Sequence, residues 1–293
     1  MSLMSQAEFT GAVETGQTAG VHSSTGNSFR NQARVQELEL KIAELRKDYA
    51  DLHSALFEAA QVYRRLCAPS RVRHGDFEIA SEIFAVRHLP GDFFTVEEAC
   101  GGSVVLALGD ITGKGVTAGM WTTLLVGLVG MQTAANADPQ AIVTGVNREL
   151  CRLSPLAPLA SLFLATLDPA TGKLEYSSAG HPPALLLRSR GQLELLSDGG
   201  PLLGAFPNAS FATGRVDLHA GDMLLVYSDG IVEARNDTDE EFGHARLEMQ
   251  LRRAPMGAVD SLLFSVLGAV QDFAARELED DTSLVVVRRN HKG

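Results

Sequence analysis

Val104-Val105-Leu106-Ala107-Leu108-Gly109-Asp110-Ile111-Thr112-Gly113-Lys114-Gly115-Val116 decides the fold. Its opening apolar run reads as a buried strand that stops at Asp110, and Gly113 and Gly115 punctuate a turn. The pattern from 116 to 134 is helical. Residues 93–99 pair with 104–110 as a hairpin across Cys100-Gly101-Gly102-Ser103. A second helix, 139–153, follows the first, with Asp138 as its N-cap. Only then do strands return, again as hairpins: 161–167 with 173–178, and 184–188 with 192–196. Residues 77–86, 223–227 and 284–288 read as further strands, and 244–253 and 259–277 as helices. Strands in hairpins and helices in pairs are not βαβ alternation. They predict an α+β sandwich with antiparallel sheets.

Composition narrows the function. The chain has 293 residues, with 25 Lys+Arg against 36 Asp+Glu and a net charge of −11, which argues against nucleic acid as the main partner. Cys67, Cys100 and Cys151 form neither a disulfide framework nor a zinc spacing. The longest apolar stretch, 121–131, falls short of the roughly 18 residues that a membrane span needs. No basic segment followed by an apolar one stands at the N-terminus, so the expected location is cytoplasmic.

The chain divides into three expected segments. Residues 1–32, rich in Gly, Ser, Thr, Gln and Ala, lack the apolar surface to offset ordering entropy and are expected to be disordered. Residues 33–68 carry a seam: Val35, Leu38, Ile42, Leu45, Tyr49, Leu52, Leu56, Ala59, Tyr63 and Leu66 alternate spacings of three and four. That pattern suits an amphipathic helix packed on its own domain. It suits better a coiled coil that makes a homodimer through 35–66, because the repeat is regular and the preceding segment polar. Residues 72–290 form the remaining domain.

Several aspartates share one setting, the end of an apolar strand beside a turn. Asp92 lies in Leu89-Pro90-Gly91-Asp92-Phe93-Phe94, Asp110 ends the opening stretch, and Asp229 ends Leu224-Leu225-Val226-Tyr227-Ser228-Asp229. Asp280 and Asp281 precede Leu284-Val285-Val286-Val287. Any one Asp beside a strand is more often turn chemistry than a ligand. Several gathered together repel unless cations neutralise them, and all-oxygen donors suit Mg²⁺ or Mn²⁺. Two look-alikes fail. A Walker A loop needs Gly where Leu108 stands and Ser or Thr where Gly115 stands. His181, in Ala179-Gly180-His181-Pro182-Pro183, fits a rigid turn better than a catalytic role.

The ordered series is more specific than any member. Gly91-Asp92-Phe93-Phe94, Gly109 to Ala118, Ala179 to Pro183, Tyr227-Ser228-Asp229-Gly230-Ile231 with Glu233-Ala234, and Asp280-Asp281-Thr282-Ser283 resemble the SpoIIE/RsbU-type branch of the PP2C-like (PPM) serine/threonine phosphatases. The resemblance implies a four-layer αββα sandwich preceded by a long N-terminal helix. It implies two Mn²⁺ or Mg²⁺ ions, bridged by Asp110. The Ile111 carbonyl would bind one ion, Asp229 and Asp280 would hold one, and Asp92 would complete the second. Asp110 and Asp229 would act through water activated by the metals, without a side-chain nucleophile. The implied substrate is phosphoserine or phosphothreonine on a regulatory protein, a STAS-type anti-sigma-factor antagonist. An upstream activator would act on the helix.

The sequence departs from the family pattern in places. Pro90 stands where Gly is usual, and Thr95 and Val96 where a second acid is common. Thr112 replaces the His that many eukaryotic relatives use as a candidate acid, so no general acid is named. His181 stands where those relatives carry an Asp linked to a third metal, so two metals are expected. Asp281 aligns with a position that is often Asn. Two rival readings are a catalytically silent pseudophosphatase that binds a regulatory protein, and a coiled-coil scaffold carrying the domain as cargo.

Overall fold

The structure, a computed structural model, describes residues 21–67, 71–86, 89–153, 157–253, 259–274 and 278–291. The chain divides into two compact units at Ala55/Leu56. The first contains the helical residues 21–55, the beginning of α1 (Val21–Cys67). There Val35, Leu38, Ile42, Leu45, Tyr49 and Leu52 are all exposed, so the apolar seam is unburied within the unit. A Lys41–Glu37 ion pair of 2.6 Å lies one helical turn apart. The helix starts at Val21, which corrects the expectation that the whole of 1–32 is disordered. Composition reports the lack of apolar surface to bury, whereas a helix closes its own backbone hydrogen bonds without burial. Residues 1–20 lie outside the described residues.

The second unit begins with the last turns of α1. Tyr63 and Cys67 are buried in the domain core, with Ala60 packed beside them, while Phe57, Val62 and Leu66 stay exposed. Tyr63 therefore leaves the solvated seam and packs on its own domain.

The remaining elements are β1 (Arg71–His74), β2 (Phe77–Phe84), β3 (Phe93–Glu98), β4 (Val104–Ile111), α2 (Val116–Ala135), α3 (Pro139–Arg152), β5 (Ala160–Leu167), β6 (Lys173–Ala179), β7 (Ala184–Leu187), β8 (Leu193–Leu196), β9 (Gly199–Gly200), β10 (Gly214–Asp217), β11 (Met223–Tyr227), α4 (Asp229–Val232), α5 (Gly243–Arg253), α6 (Val259–Ala274) and β12 (Thr282–Arg289). One sheet runs β1-β2-β12-β11-β7-β8 and the other β10-β6-β5-β4-β3, with β9 beside β6. Every pair is antiparallel except β6–β9. Asp138 caps α3 by accepting from the Gln140 N–H at 3.1 Å, as its position predicts.

Three apolar layers fix the stacking. One lies between the first sheet and α5 and α6, around Leu225, Tyr227, Leu263, Val266 and Leu284. One lies between the second sheet and α2 and α3, around Phe93, Leu125, Val129, Val146 and Leu162. The third lies between the sheets, with Phe77, Phe94, Leu106, Leu108, Phe163, Val226 and Val285. The order is helices, sheet, sheet, helices, which is the αββα sandwich expected. Cys67 and Cys151 are free thiols.

Candidate active site

Strand alternation sets where the acids point. On β4, Val105, Ala107 and Ile111 enter the helix-side layer, and Val104, Leu106 and Leu108 the layer between the sheets. Asp110 is in phase with the second set, so its carboxylate faces the end of the inter-sheet layer. The same parity puts Asp92 in phase with Phe94, Ser228 with Leu224 and Val226, and Ser283 with Val285 and Val287. Residues from both sheets therefore meet at one edge of the sandwich.

Hydrogen bonds hold that meeting. The Ser283 hydroxyl donates to the carboxylate of Asp92, which is 1% exposed. The Ser283 N–H donates to Ser228 Oγ at 2.9 Å, and the Ser228 N–H to the Ser283 carbonyl at 3.0 Å. Asp281 is also buried, and both its oxygens are used: Oδ1 accepts from the Val86 N–H at 2.9 Å and Oδ2 from the Gly91 N–H at 2.8 Å. The Thr122 hydroxyl on α2 donates to the Gly91 carbonyl at 2.9 Å, and the Tyr63 hydroxyl on α1 donates to the Asp92 carbonyl. The turn carrying Asp92 is thus gripped by two helices and by Asp281. Asp229 opens α4, behind Ser228 at the N-cap. Asp280 is exposed, and its Oδ1 lies 3.1 Å from Lys114 Nζ.

The charges are poorly compensated. Burial, then the neighbouring Asp229 and Asp280, push the Asp110 carboxyl up to about 7. Burial and then Asp110 hold Asp92 well above the usual carboxylate range. Asp229 is raised by burial and then by Asp280, and Asp281 by burial against the pull of its two N–H donors. Carboxylates that raise one another in this way form a site that favours a cation.

The donor set fits a hard divalent ion. It consists of carboxylates and a backbone carbonyl, without His or Cys. A Cβ placed on Gly91 would lie 2.8 Å from the Ile111 carbonyl oxygen and 2.9 Å from Asp110 Oδ1, so those two oxygens converge on one point that only glycine leaves open. Among the described residues no three His, Cys, Asp or Glu side chains close into a ready-made cage. Beside the edge lies a cleft of about 170 Å³ lined by Lys114, Gly230, Glu233, Arg235, Asn236 and Asp280, among others.

Each aspartate singled out from the sequence lies at or beside this edge, and Ile111 with them. His181 has another setting: it is buried, pushed down to about 4 by burial, and its Nδ1 lies 3.1 Å from the Pro182 carbonyl oxygen. A neutral imidazole in a proline turn agrees with the structural reading. The grip of Asp281, Ser228, Ser283, Thr122 and Tyr63 was not anticipated. For the two serines, strand parity was the available signal.

Two sheets face to face, with paired helices outside and an acidic edge between the sheets, are the architecture of a PP2C-type domain. The chain belongs to the SpoIIE family: the profile described as Stage II sporulation protein E (SpoIIE) matches residues 101–290. Protein IcfG of Synechocystis is 27% identical over 232 residues, covering 70% of this chain and 36% of its own length. Phosphoserine phosphatase RsbU of Bacillus subtilis is 22% identical, covering 84% of this chain and 73% of its own length. This chain therefore spans about a third of the first relative and most of the second. The solved SiaA-PP2C domain of Pseudomonas aeruginosa superposes with a TM-score of 0.71 at 17% identity, over 82% of this chain and 98% of that one, a likeness of fold.

Proposed function

We propose that the chain is a metal-dependent protein serine/threonine phosphatase acting on phosphoserine or phosphothreonine of a regulatory protein. The observation that carries the reading is the convergence of Asp92, Asp110, Asp229, Asp280 and the Ile111 carbonyl at one sandwich edge in a SpoIIE-family chain. Asp92, Asp110, Asp229, Asp280 and the Ile111 carbonyl would hold two divalent ions, with Asp110 shared between them. Bound there, Mg²⁺ or Mn²⁺ would activate water and neutralise phosphoryl oxygens. Asp281 holds the Gly91 and Val86 N–H groups and so fixes the turn that presents Asp92. Ser228 and Ser283 are buried and committed to hydrogen bonds, so neither serves as nucleophile. The attacking oxygen comes from water.

The finer reading follows the family. The substrate is a phosphorylated STAS-type anti-sigma-factor antagonist, a class suggested by the motif series and in keeping with the phosphoserine phosphatase RsbU. The helix that starts at Val21 and carries 33–67 precedes the catalytic segment 72–290. The exposed seam supports a homodimer through 35–66, on which an activator acts. The expected location is cytoplasmic; among the described residues no helix is long and apolar enough to cross a membrane.

The test is phosphate release from phosphorylated STAS-domain proteins with Mn²⁺. Wild type should release phosphate and Asp110→Ala should not, with the fold retained. Full activity in the variant would refute the site assignment. A wild type that binds the phosphoprotein and releases nothing would be a pseudophosphatase.

A further inference from the structure

Lys114 has no role in the reading above, yet it sits inside the acidic edge. It stands in the turn between β4 and α2, four residues after Asp110. Its Nζ lies 3.1 Å from Asp280 Oδ1 and 2.5 Å from the Glu279 carbonyl oxygen. Its charge also reaches Asp229 and Asp281. One ammonium thus serves three of the carboxylates. The turn that carries it has room around it: Gly113 has φ 120° and Gly115 φ 81°, and a Cβ on Gly113 would meet nothing within 4 Å. Both members of the pair are open to solvent, with side-chain exposures of 37% for Lys114 and 52% for Asp280, so the contact can exchange.

We infer that Lys114 is a resident counter-ion that competes with a divalent cation for Asp280, so that loading the acidic edge requires the Gly113–Gly115 turn to release it. The physical reason is direct. A divalent ion needs the oxygen that the ammonium now faces, and two cations a few ångströms apart repel. Lys114 therefore stabilises the metal-free edge and lowers its affinity for metal. The turn leads straight into α2, whose Thr122 holds the Gly91 carbonyl. This inference rests on the metal reading of the site.

The test is calorimetric titration of the full chain with Mn²⁺ alone, at low ionic strength. Lys114→Met should bind Mn²⁺ roughly tenfold more tightly than wild type, and the gain should shrink as salt screens the repulsion. Lys114→Gln should behave the same way, which guards against a folding defect in one variant. Lys114→Arg, which keeps the charge, should stay near the wild-type affinity. Unchanged or weaker binding in both neutral variants, with wild type still binding, would overturn the role of Lys114 alone. A wild type that takes up no Mn²⁺ would overturn the metal reading and this inference with it.

Discussion

Replacing Asp281 tests how the site is held together. In Asp281→Ala two N–H groups lose their acceptor. Val86 is 40% exposed, so water replaces the carboxylate there at little cost. The Gly91 N–H is buried, and leaving it unpaired costs about 1–3 kcal/mol. Relief of repulsion from Asp280, Asp92 and Asp110 acts the other way and trims the loss. The net expectation is destabilisation of about 1–2 kcal/mol. For a domain of this size that is a fall in Tm of roughly 2–8 °C without metal. Asp281→Asn keeps one acceptor oxygen and should fall by less than half as much. The functional effect should be larger than the thermal one, because the freed turn carries Asp92. Mn²⁺ affinity should drop at least about tenfold, the equivalent of roughly 1.4 kcal/mol. Thermal melting with a chelator, followed by Mn²⁺ titration, reads both quantities. A variant that melts with wild type and binds Mn²⁺ equally well would refute the view that Asp281 holds the Asp92 turn.

Three further outcomes are expected. The metal-free protein should lose stability as pH rises from about 4 through 7. Asp92, Asp110, Asp229 and Asp281 have folded pKa values above their unfolded ones, so each stabilises fully only below its unfolded value, and for Asp110 the contribution is lost through about 7. Mg²⁺ should flatten that slope in melts across the range, and a slope of opposite sign would contradict the assignment. Gly91→Ala should weaken Mn²⁺ binding while the protein stays folded, since the new methyl falls against the Ile111 carbonyl and Asp110 Oδ1; circular dichroism and calorimetry distinguish the two effects. Leu45→Glu combined with Leu52→Glu, on the exposed seam, should convert a dimer to a monomer in light scattering without lowering the melting of the domain; a persistent dimer would move the interface elsewhere.

Much of the architecture was legible because period and punctuation agree. The Val104–Asp110 run, its glycine turn and the two uncharged or amphipathic helices behind it carry their own signals, and the hairpins around 168–172 and 188–191 carry theirs. The short strands escaped. β1 and β10 are edge strands of four residues each, with polar side chains on one side, and β9 has only two glycines to read. α4 hides behind the Asp-Gly that reads as a turn. The acidic edge was legible as positions, since aspartates at strand ends stand out in sequence. How they are fixed was not. Asp281 is held by Val86 and Gly91, almost two hundred residues away, and Ser283 by Asp92, and such pairings follow from which strands become neighbours. Tyr63 shows the same limit from the other side. It fits the heptad seam by spacing, yet the fold buries it against the Asp92 turn.

The central claim is that the strand-end aspartates hold divalent metal. Crystals of the chain grown with Mn²⁺, with anomalous scattering recorded on either side of the manganese edge, test it without reference to substrate or activity. The account predicts two anomalous peaks at the sandwich edge, among Asp92, Asp110, the Ile111 carbonyl, Asp229 and Asp280, with both lost in Asp110→Asn. Manganese peaks elsewhere, or an edge without them at saturating Mn²⁺, would contradict it.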